Sequence, residues 1–204
     1  MLSIIGINRH RLKTDGQGVT TLIALSSCQL NCEYCINKKQ LQSTSTIYTA
    51  KALLDKVLID YCYFVATGGG ITFGGGEPLL QSQGIAEFIG QLPPNISINI
   101  ETSLNVLQSN INDILEAGKS GNIPINWIID VKDINPEIYK TYTKLNNTQV
   151  INNLGYIASK GLQDSCKIRI PLIPGYNTNS DILASKEYIE KLGYTNVELF
   201  EYTV

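Results

Sequence analysis

Short apolar runs alternate with longer segments of helical spacing along most of the chain, and this alternation restricts the folds open to it. Six runs are rich in β-branched residues and bounded by turn-forming residues; they cover residues 19–25, 70–73, 96–100, 125–131, 167–173 and 197–200. The segments with helical periodicity cover residues 49–63, 81–91, 103–117, 135–160 and 179–192, the fourth with a break near Asn146 and Asn147. Strands that alternate with helices predict repeated βα units and a parallel sheet.

The ends of several predicted helices carry residues that start or stop helices. Thr49 and Ser103 are predicted N-caps, because their hydroxyls can accept a bond from the first turn, and Pro136 suits a first-turn position. Three glycines are predicted to follow helix C-termini: Gly118, Gly161 and Gly193. These signals support the helix boundaries given above.

Polar residues after the predicted strands decide between an open sheet and a barrel. Such residues follow nearly every strand: Cys28, Gly75 to Glu77, Glu101, Asp130, Lys132 and Tyr202. In parallel α/β proteins the functional sites lie at the carboxyl ends of the strands. If nearly every strand contributes a residue to one site, the strand ends must lie close together, as they do in a barrel. We therefore expect an α/β fold, an incomplete (β/α)6 TIM-type barrel of parallel strands, as a single domain over residues 1–204.

Composition and charge narrow the class of protein. The chain has 204 residues, is 43% hydrophobic and carries a net charge of −2, so no strong field gathers nucleic acid or an anionic membrane surface. Apolar runs stay below the roughly 18 residues of a membrane span, and the apolar start is too short for a signal peptide. Five cysteines, an odd number, argue against a disulfide framework. We expect a cytoplasmic protein that binds neither nucleic acid nor membrane.

One predicted loop, at about residues 26–40, is crowded with three cysteines: Cys28, Cys32 and Cys35. Three thiolates cannot close a four-ligand site, and iron–sulfur cubanes are normally held by four cysteines. The pattern therefore suggests a cluster whose remaining iron is open to a small molecule. Two alternatives stay open: a chance grouping of core cysteines, or a zinc site completed by Cys62, Cys166 or His10.

A glycine-rich motif, Gly75-Gly76-Glu77-Pro78, directly follows the apolar run at residues 70–73. Glycines allow a ligand to approach the backbone closely, and the Glu77 carboxylate can accept hydrogen bonds from an ammonium group. By itself such a turn is more often structural or phosphate-binding. Its position downstream of the three cysteines favours a ligand-binding role.

Together these motifs resemble the radical S-adenosylmethionine (SAM) superfamily. The cysteine spacing, with Tyr34 before the last cysteine, and the glycine-glycine-glutamate motif both match its patterns. The nearest form is the activating enzymes of glycyl radical enzymes, of the pyruvate formate-lyase activating type. Four further stretches carry that likeness in the family's order, at residues 14–18, 68–73, 129–133 and 168–177.

The resemblance implies a set of site residues, which we state as expectations. The cluster ligands of one 4Fe–4S cluster are Cys28, Cys32 and Cys35. The SAM contacts are Tyr34, Gly75, Gly76, Glu77, Lys132 and Arg169. A monovalent cation is expected at Glu101, Thr102 and Asp130, and partner contact at Asp15 and Gly16. For Asp130 and Lys132 a solvated surface arrangement stays open, as does an internal ion pair for Arg169.

The resemblance also implies a reaction and its partners. A reduced flavodoxin or ferredoxin supplies an electron, SAM is cleaved reductively to a 5′-deoxyadenosyl radical, and the radical takes hydrogen from a glycine of a partner glycyl radical enzyme. No side-chain acid or base is expected, because the cofactor carries the chemistry, and the setting is anaerobic. The alternatives are a radical SAM enzyme acting on a small metabolite or ribosomal peptide, and a non-catalytic metal-binding module.

The chain departs from the family pattern at several places. Gln17 replaces a proline, Ile36 replaces a histidine after the last cysteine, and Thr203 stands where a histidine contacts the cofactor. The effect of Thr203, and of a chain that stops at Val204, on cofactor binding is left open. Three residues receive structural interpretations: buried thiols for Cys62 and Cys166, and a solvated basic loop for His10.

Overall fold

The computed structural model describes residues 1–12 and 14–202, and its contacts cluster into two compact units. The first unit comprises Met1–Cys28, Asn37–Glu101 and Leu107–Asn126. The second comprises Gln29–Ile36, Thr102–Val106 and the described residues from Trp127 onward. Thr203, which the sequence analysis singled out, lies outside the described residues.

The first unit is built on strands with the order β3-β1-β2-β4-β5. The strands are β1 (Leu2–Leu12), β2 (Val19–Leu25), β3 (Thr46–Tyr48), β4 (Gly70–Gly75) and β5 (Ser97–Thr102). β2, β4 and β5 run parallel, as the alternation predicted, whereas β1 pairs antiparallel with both β2 and β3. Both β1 and β3 are absent from the six predicted strands, so that prediction was incomplete. β1 was not predicted because polar residues at its exposed positions interrupt the apolar run, although Leu2 and Ile4 are buried.

Five α-helices belong to the first unit: α1 (Lys38–Leu41), α2 (Ala50–Val57), α3 (Tyr61–Thr67), α4 (Ser82–Ile89) and α5 (Gln108–Gly121). Short 3-10 turns at Leu58–Asp60 and Pro78–Gln81 precede α3 and α4. The apolar residues of β4 pack on these helices; the rings of Phe73 and Phe88 meet edge to face at 5.3 Å. Burying one such side chain contributes about 1.5–3 kcal/mol, so this apolar layer stabilises the unit.

The second unit contains three parallel strands in the order β6-β7-β8: β6 (Ile125–Asp130), β7 (Cys166–Leu172) and β8 (Val197–Glu201). Its helices are α6 (Pro136–Thr143), α7 (Thr148–Ser159) and α8 (Asn179–Lys191), with a 3-10 turn at Gln163–Ser165. The break between α6 and α7 confirms the one predicted near Asn146 and Asn147. Trp127, Ile129 and Ile168 are buried on the strands of this unit.

The helix-end predictions were confirmed at some positions and wrong at others. Thr49 caps α2 by accepting a bond from the amide of Ala52, and Pro136 occupies the first turn of α6. Ser103 is not an N-cap, because α5 begins only at Gln108, where Leu107 is the N-cap residue.

Among the predicted C-terminal glycines, Gly161 and Gly193 follow helix ends with φ of 70° and 89°, a conformation that glycine adopts without strain. Gly118 instead lies inside α5, which ends at Gly121 and is followed by the C-cap residue Asn122 with φ of 52°. None of the described helices is long and apolar enough to cross a membrane.

Candidate active site

The glycine loop, residues 74–77, continues β4 in the first unit, and its backbone amides are hydrogen-bonded to the chain that follows β2. Gly75 has φ of 89°, which only glycine adopts readily. The amide of Gly76 donates to the carbonyl of Leu25, and the amide of Glu77 donates to the carbonyl of Ser27, both at 2.9 Å. A Cβ at Gly76 would fall within 3.0 Å of the Ser27 carbonyl oxygen. The loop is therefore packed on, and hydrogen-bonded to, the chain immediately before Cys28.

Glu77 is 1% exposed, and its carboxylate is turned towards the chain that follows it. Its Oε1 atom accepts a hydrogen bond of 3.2 Å from the amide of Leu79 and so caps the 3-10 turn that begins at Pro78. Asn37 donates to the carbonyl of Gly75 at 2.8 Å and closes the other side of the loop. The sequence analysis did not identify Asn37, since only its position two residues after Cys35 marks it.

Close packing continues on the same face of β4 and β5. A Cβ at Gly74 would overlap the carboxylate of Glu101, which therefore lies directly over the strand backbone. Arg11 forms an ion pair with Asp15, and the pKa of Arg11 is raised chiefly by this hydrogen bond, with Glu101 adding a smaller attraction.

Asp15 and Gly16, the predicted partner contacts, pack against this face. Asp15 is 3% exposed, and its carbonyl accepts a bond of 2.6 Å from the hydroxyl of Thr72. A Cβ at Gly16 would fall within 3.0 Å of the Asn99 side chain. The Asp15 side chain is thus engaged inside the unit rather than presented on a free surface.

In the second unit, the cysteine loop (Gln29–Ile36) is anchored by the C-terminal end of α6. The amide of Asn31 donates to the carbonyl of Thr143 at 3.0 Å, and the amide of Glu33 donates to the carbonyl of Tyr142 at 3.3 Å. Lys144 forms an ion pair with the Glu33 carboxylate. These contacts hold the chain on both sides of Cys32.

Tyrosines surround the same loop. The ring of Tyr34 lies 5.7 Å from that of Tyr176 and 6.3 Å from that of Tyr142. The hydroxyl of Tyr202 donates to the carbonyl of Tyr34 at 2.8 Å. Burial raises the pKa of both Tyr142 and Tyr202 above the ordinary tyrosine value. Sequence reasoning placed Tyr202 at a strand end and included Tyr176 only as part of the stretch at residues 168–177. It missed Tyr142 and Thr143, which no local motif marks.

Asp130, Lys132 and Arg169 form one charged group in the second unit. The two carboxylate oxygens of Asp130 accept bonds from Lys132 Nζ at 3.2 Å and from Arg169 Nε at 2.7 Å. Burial works to raise the pKa of Asp130, but the attraction of both cations outweighs it and lowers that pKa. Burial likewise works to lower the pKa of Lys132, and Asp130 and Cys32 raise it overall. Arg169 therefore takes part in an internal ion pair, one of its two predicted roles.

The remaining cation-site candidate of the second unit, Thr102, is also engaged locally. Its hydroxyl accepts a bond of 2.9 Å from the amide of Leu104, which has φ of 56°. Ser103 likewise accepts a bond from the amide of Asn105. These turns explain why the helix predicted from Ser103 does not start there, because the side chains satisfy loop amides instead.

The three clustered cysteines are free thiols, each half-buried. Burial raises the pKa of Cys32, and nearby Lys132 opposes that change. Within residues 1–12 and 14–202, no three His, Cys, Asp or Glu side chains surround a point where one ion could bind. A cubane has a different requirement, since each thiolate binds its own iron atom. The donor set of three thiolates fits such a cluster.

The other candidates have structural surroundings. Cys166 is buried on β7 as predicted, and burial raises its pKa to about 12. Cys62 is exposed on α3, so its predicted burial was wrong; of the α3 residues, Phe64 is the buried one. His10 was expected in a solvated basic loop; its side chain is exposed, but it lies on β1 rather than in a loop, and its Nε2 is 3.2 Å from the buried carboxylate of Asp60.

Comparison with known proteins identifies the class to which this fold and these loops belong. A family model described as the radical SAM superfamily matches residues 22–188. The chain therefore belongs to the radical SAM superfamily, whose members use a 4Fe–4S cluster and SAM. Among curated relatives, the pyruvate formate-lyase-activating enzyme of Staphylococcus aureus is 28% identical over 197 residues, covering 92% of this chain and 74% of the relative.

Solved structures support the same fold. SuiB of Streptococcus suis, bound to its precursor peptide SuiA, aligns with a TM-score of 0.69 and 15% identity over 89% of this chain, which spans 39% of SuiB. TYW1 with a lysine–pyruvate adduct aligns with a TM-score of 0.63 and 19% identity, over 91% of this chain and 65% of TYW1. The predicted fold class, an incomplete (β/α)6 TIM-type barrel, is confirmed, although the strands are only mostly parallel because β1 pairs antiparallel with its neighbours.

Proposed function

We propose that this chain is the activating enzyme of a glycyl radical enzyme and removes one hydrogen atom from a backbone glycine of that partner. The observation that carries the proposal is the 28% identity to the activating enzyme of pyruvate formate-lyase, which extends over 92% of the chain. The radical SAM core then corresponds to residues 1–204 as one domain.

The cysteines provide the cluster site in this proposal. Cys28, Cys32 and Cys35 bind three irons of one 4Fe–4S cluster through their thiolates. When bound, the cluster and SAM together supply a 5′-deoxyadenosyl radical, which accepts the hydrogen atom of the glycine. The protein contributes by holding the thiolates in place and by excluding water and other hydrogen donors.

Two groups of residues are proposed to hold SAM. Gly75 and Gly76 have no side chains that would keep a ligand from the backbone, and the Glu77 carboxylate would accept bonds from the methionine ammonium. Lys132 would contact the methionine carboxylate or the ribose, and Arg169 and Tyr34 are further proposed SAM contacts. The charges around Asp130 support this assignment: two cations surround one carboxylate, and the excess positive charge suits a second carboxylate.

The cation site and the partner contacts complete the proposal. Glu101, Thr102 and Asp130 offer the oxygen donors that a hard monovalent cation prefers, although the cation competes with the ion pairs of Asp130. Asp15 and Gly16 are the proposed contact with the glycyl radical enzyme. A reduced flavodoxin or ferredoxin is the proposed electron donor, in the cytoplasm.

The test uses the anaerobically reconstituted protein and a large enzyme encoded by a neighbouring reading frame, with a glycine loop near its C-terminus. After reduction in the presence of SAM, we expect 5′-deoxyadenosine, methionine and the doublet of a glycyl radical in electron paramagnetic resonance. Deuterium placed on the α-carbon of the partner's glycines should appear in the 5′-deoxyadenosine. Partner protein with that glycine changed to alanine is the matched control.

Different outcomes separate the proposal from its alternatives. Formation of 5′-deoxyadenosine without deuterium transfer or a glycyl signal would leave a radical SAM enzyme with another substrate, such as a small metabolite or a ribosomal peptide. A colourless, zinc-loaded protein would instead indicate a non-catalytic metal-binding module. The variant Cys35→Ala should form neither a complete cluster nor 5′-deoxyadenosine.

A further inference from the structure

The peptide group between Tyr34 and Cys35 is hydrogen-bonded at both of its polar atoms. Its carbonyl oxygen accepts the hydroxyl of Tyr202 at 2.8 Å, and its amide donates to the carbonyl of Cys32 at 3.3 Å. A peptide group is planar, so two opposed bonds fix its orientation. The chain between Cys32 and Cys35 therefore has one defined path.

The position of Tyr202 is itself fixed by the sheet of the second unit. Its amide donates to the carbonyl of Leu172 at 2.9 Å, which continues the pairing of β7 with β8. Its ring lies 6.2 Å from that of Phe200. Tyr202 thus reaches the cysteine loop from the position directly after β8, across 168 residues of sequence.

The other side of Cys32 is equally restrained. The amides of Asn31 and Glu33 both donate to carbonyls at the end of α6. Every one of these restraints is a hydrogen bond between groups of the protein chain itself. The loop is preorganised, because its amides and the Tyr34 carbonyl have protein partners at fixed positions.

We propose that Tyr202 is a positioning residue of the cysteine loop: by holding the carbonyl of Tyr34, it sets the separation of Cys32 and Cys35 before iron is present. This inference rests on the proposed function in taking these two thiols as cluster ligands. The role belongs to the Tyr202 hydroxyl, because phenylalanine would keep the ring and lose the bond.

The test compares Tyr202→Phe with a matched control, Tyr194→Phe. Tyr194 is buried in the same unit, and its hydroxyl donates to the carbonyl of Leu154 on α7, also at 2.8 Å. Both variants thus lose a hydroxyl bond to a backbone carbonyl, but only that of Tyr202 reaches the cysteine loop; Tyr202→Phe also removes the contact of this hydroxyl with the Tyr142 side chain. The metal-free proteins are treated anaerobically with iodoacetamide, and alkylation of each cysteine is followed by mass spectrometry.

We expect Cys32 and Cys35 to react about five-fold faster in Tyr202→Phe, since loss of a bond worth about 1 kcal/mol raises the open fraction of the loop by that factor. Tyr194→Phe should react like the wild type. After reconstitution, Tyr202→Phe should also lose iron faster to a chelator and show an altered spectrum of the reduced cluster in electron paramagnetic resonance.

Equal alkylation rates in folded Tyr202→Phe and wild type would overturn the inference, as would equal acceleration in Tyr194→Phe. If Tyr202→Phe does not fold, amide exchange in the metal-free wild type decides instead. The amides of Asn31, Glu33 and Cys35 should then exchange with solvent more slowly than the amide of Thr44, an exposed residue after α1. Equal exchange rates would overturn the inference. Failure of the wild type to assemble a cluster would count against the proposed function and leave the alkylation result intact.

Discussion

The glycine loop and the cysteine loop are both well defined, but different kinds of contact define them. The glycine loop is shaped by backbone that approaches too closely for any side chain at Gly76. The cysteine loop is shaped by partners distant in sequence, namely the end of α6 and Tyr202. Both kinds of constraint join residues far apart in sequence, since Ser27 is also distant from Gly76 along the chain, but the first acts by steric exclusion and the second by hydrogen bonds.

This difference has a consequence for mutation. A loop held by steric exclusion cannot adapt to an added methyl group, because the obstacle is backbone that cannot move aside. A loop held by several separate hydrogen bonds loses them one at a time, at about 1 kcal/mol each. Substitutions in the glycine loop should therefore have the largest effects on stability.

Gly76→Ala is the most damaging change that this comparison predicts. Its Cβ would fall within 3.0 Å of the Ser27 carbonyl oxygen, so β2 and the glycine loop would have to separate. We expect a loss of about 3 kcal/mol or more in the free energy of unfolding, or failure to accumulate as folded protein. Urea denaturation of the metal-free protein, followed by circular dichroism, measures the loss.

Gly155→Ala is the matched control for that change. Gly155 lies within α7, and a Cβ there would meet no atom within 4 Å. Alanine should stabilise this helix by about 0.5–1 kcal/mol, since it restricts the unfolded chain. If Gly76→Ala were as stable as Gly155→Ala, steric exclusion would not be what shapes the glycine loop.

Glu77→Gln separates the structural role of the glycine loop from its proposed role in binding SAM. Glutamine keeps an oxygen that can accept the bond from Leu79 but removes the negative charge. We expect the free energy of unfolding to change by less than about 1 kcal/mol, and the Kd for SAM to rise about 10- to 100-fold, because a charge-assisted bond is lost. Anaerobic calorimetry with SAM on the reconstituted protein gives the affinity.

Glu116→Gln, on the exposed side of α5, provides the comparison for a carboxylate away from the loop. It should leave both stability and SAM affinity unchanged. Unaltered SAM affinity in Glu77→Gln, with a cluster in place, would mean that Glu77 serves only as a cap for the turn after Pro78.

The distinction between local and distant contacts explains how much of this structure the sequence could predict. Thr49 and Pro136 act on backbone within a few residues, and the positive φ of Gly75 is a local property, so local patterns located these positions correctly. The three clustered cysteines were recognised as a motif, but the partners of their loop were not. Tyr142 and Thr143 contribute backbone carbonyls, and any residue type can provide a carbonyl, so no sequence pattern marks them.

The errors have equally local causes. Ser103 resembles an N-cap, yet its hydroxyl bonds to the amide of Asn105 in a turn that precedes the helix. Gly118 resembles a helix stop, but it packs inside α5 where a Cβ would overlap Ile125. In both cases the contacts of the residue in the folded chain, and not its local preference for a helix end, decide its role.

The comparison also predicts how a cysteine outside the loop should behave. Burial raises the pKa of Cys166 to about 12, whereas an unfolded cysteine ionises near 8.5, so only the unfolded chain gains charge between these values. The contribution of the Cys166 thiol to the free energy of unfolding is complete below about pH 8.5. It is lost as pH rises towards 12, at about 1.4 kcal/mol per pH unit. In Cys166→Ala, the free energy of unfolding should fall less steeply with rising pH, by that amount per pH unit.

Urea denaturation of the metal-free protein under reducing conditions, between about pH 8 and 10, measures this slope. Cys62→Ala serves as the control, because Cys62 is exposed on α3 and its removal should keep the wild-type slope. An identical slope in Cys166→Ala and wild type would show that Cys166 is reached by solvent in the folded protein.

Lys144→Ala should have the smallest effect, and it tests whether the cysteine loop depends on many separate contacts. The ion pair of Lys144 with Glu33 is half exposed, and such pairs contribute about 0–1 kcal/mol. We expect the free energy of unfolding to fall by about 0.5 kcal/mol or less, with alkylation of Cys32 no more than about two-fold faster. Lys191→Ala, which removes a comparable pair with Glu187 on α8, is the control. A change in alkylation as large as that expected for Tyr202→Phe would mean that the ion pair, rather than the backbone hydrogen bonds, holds this side of the loop.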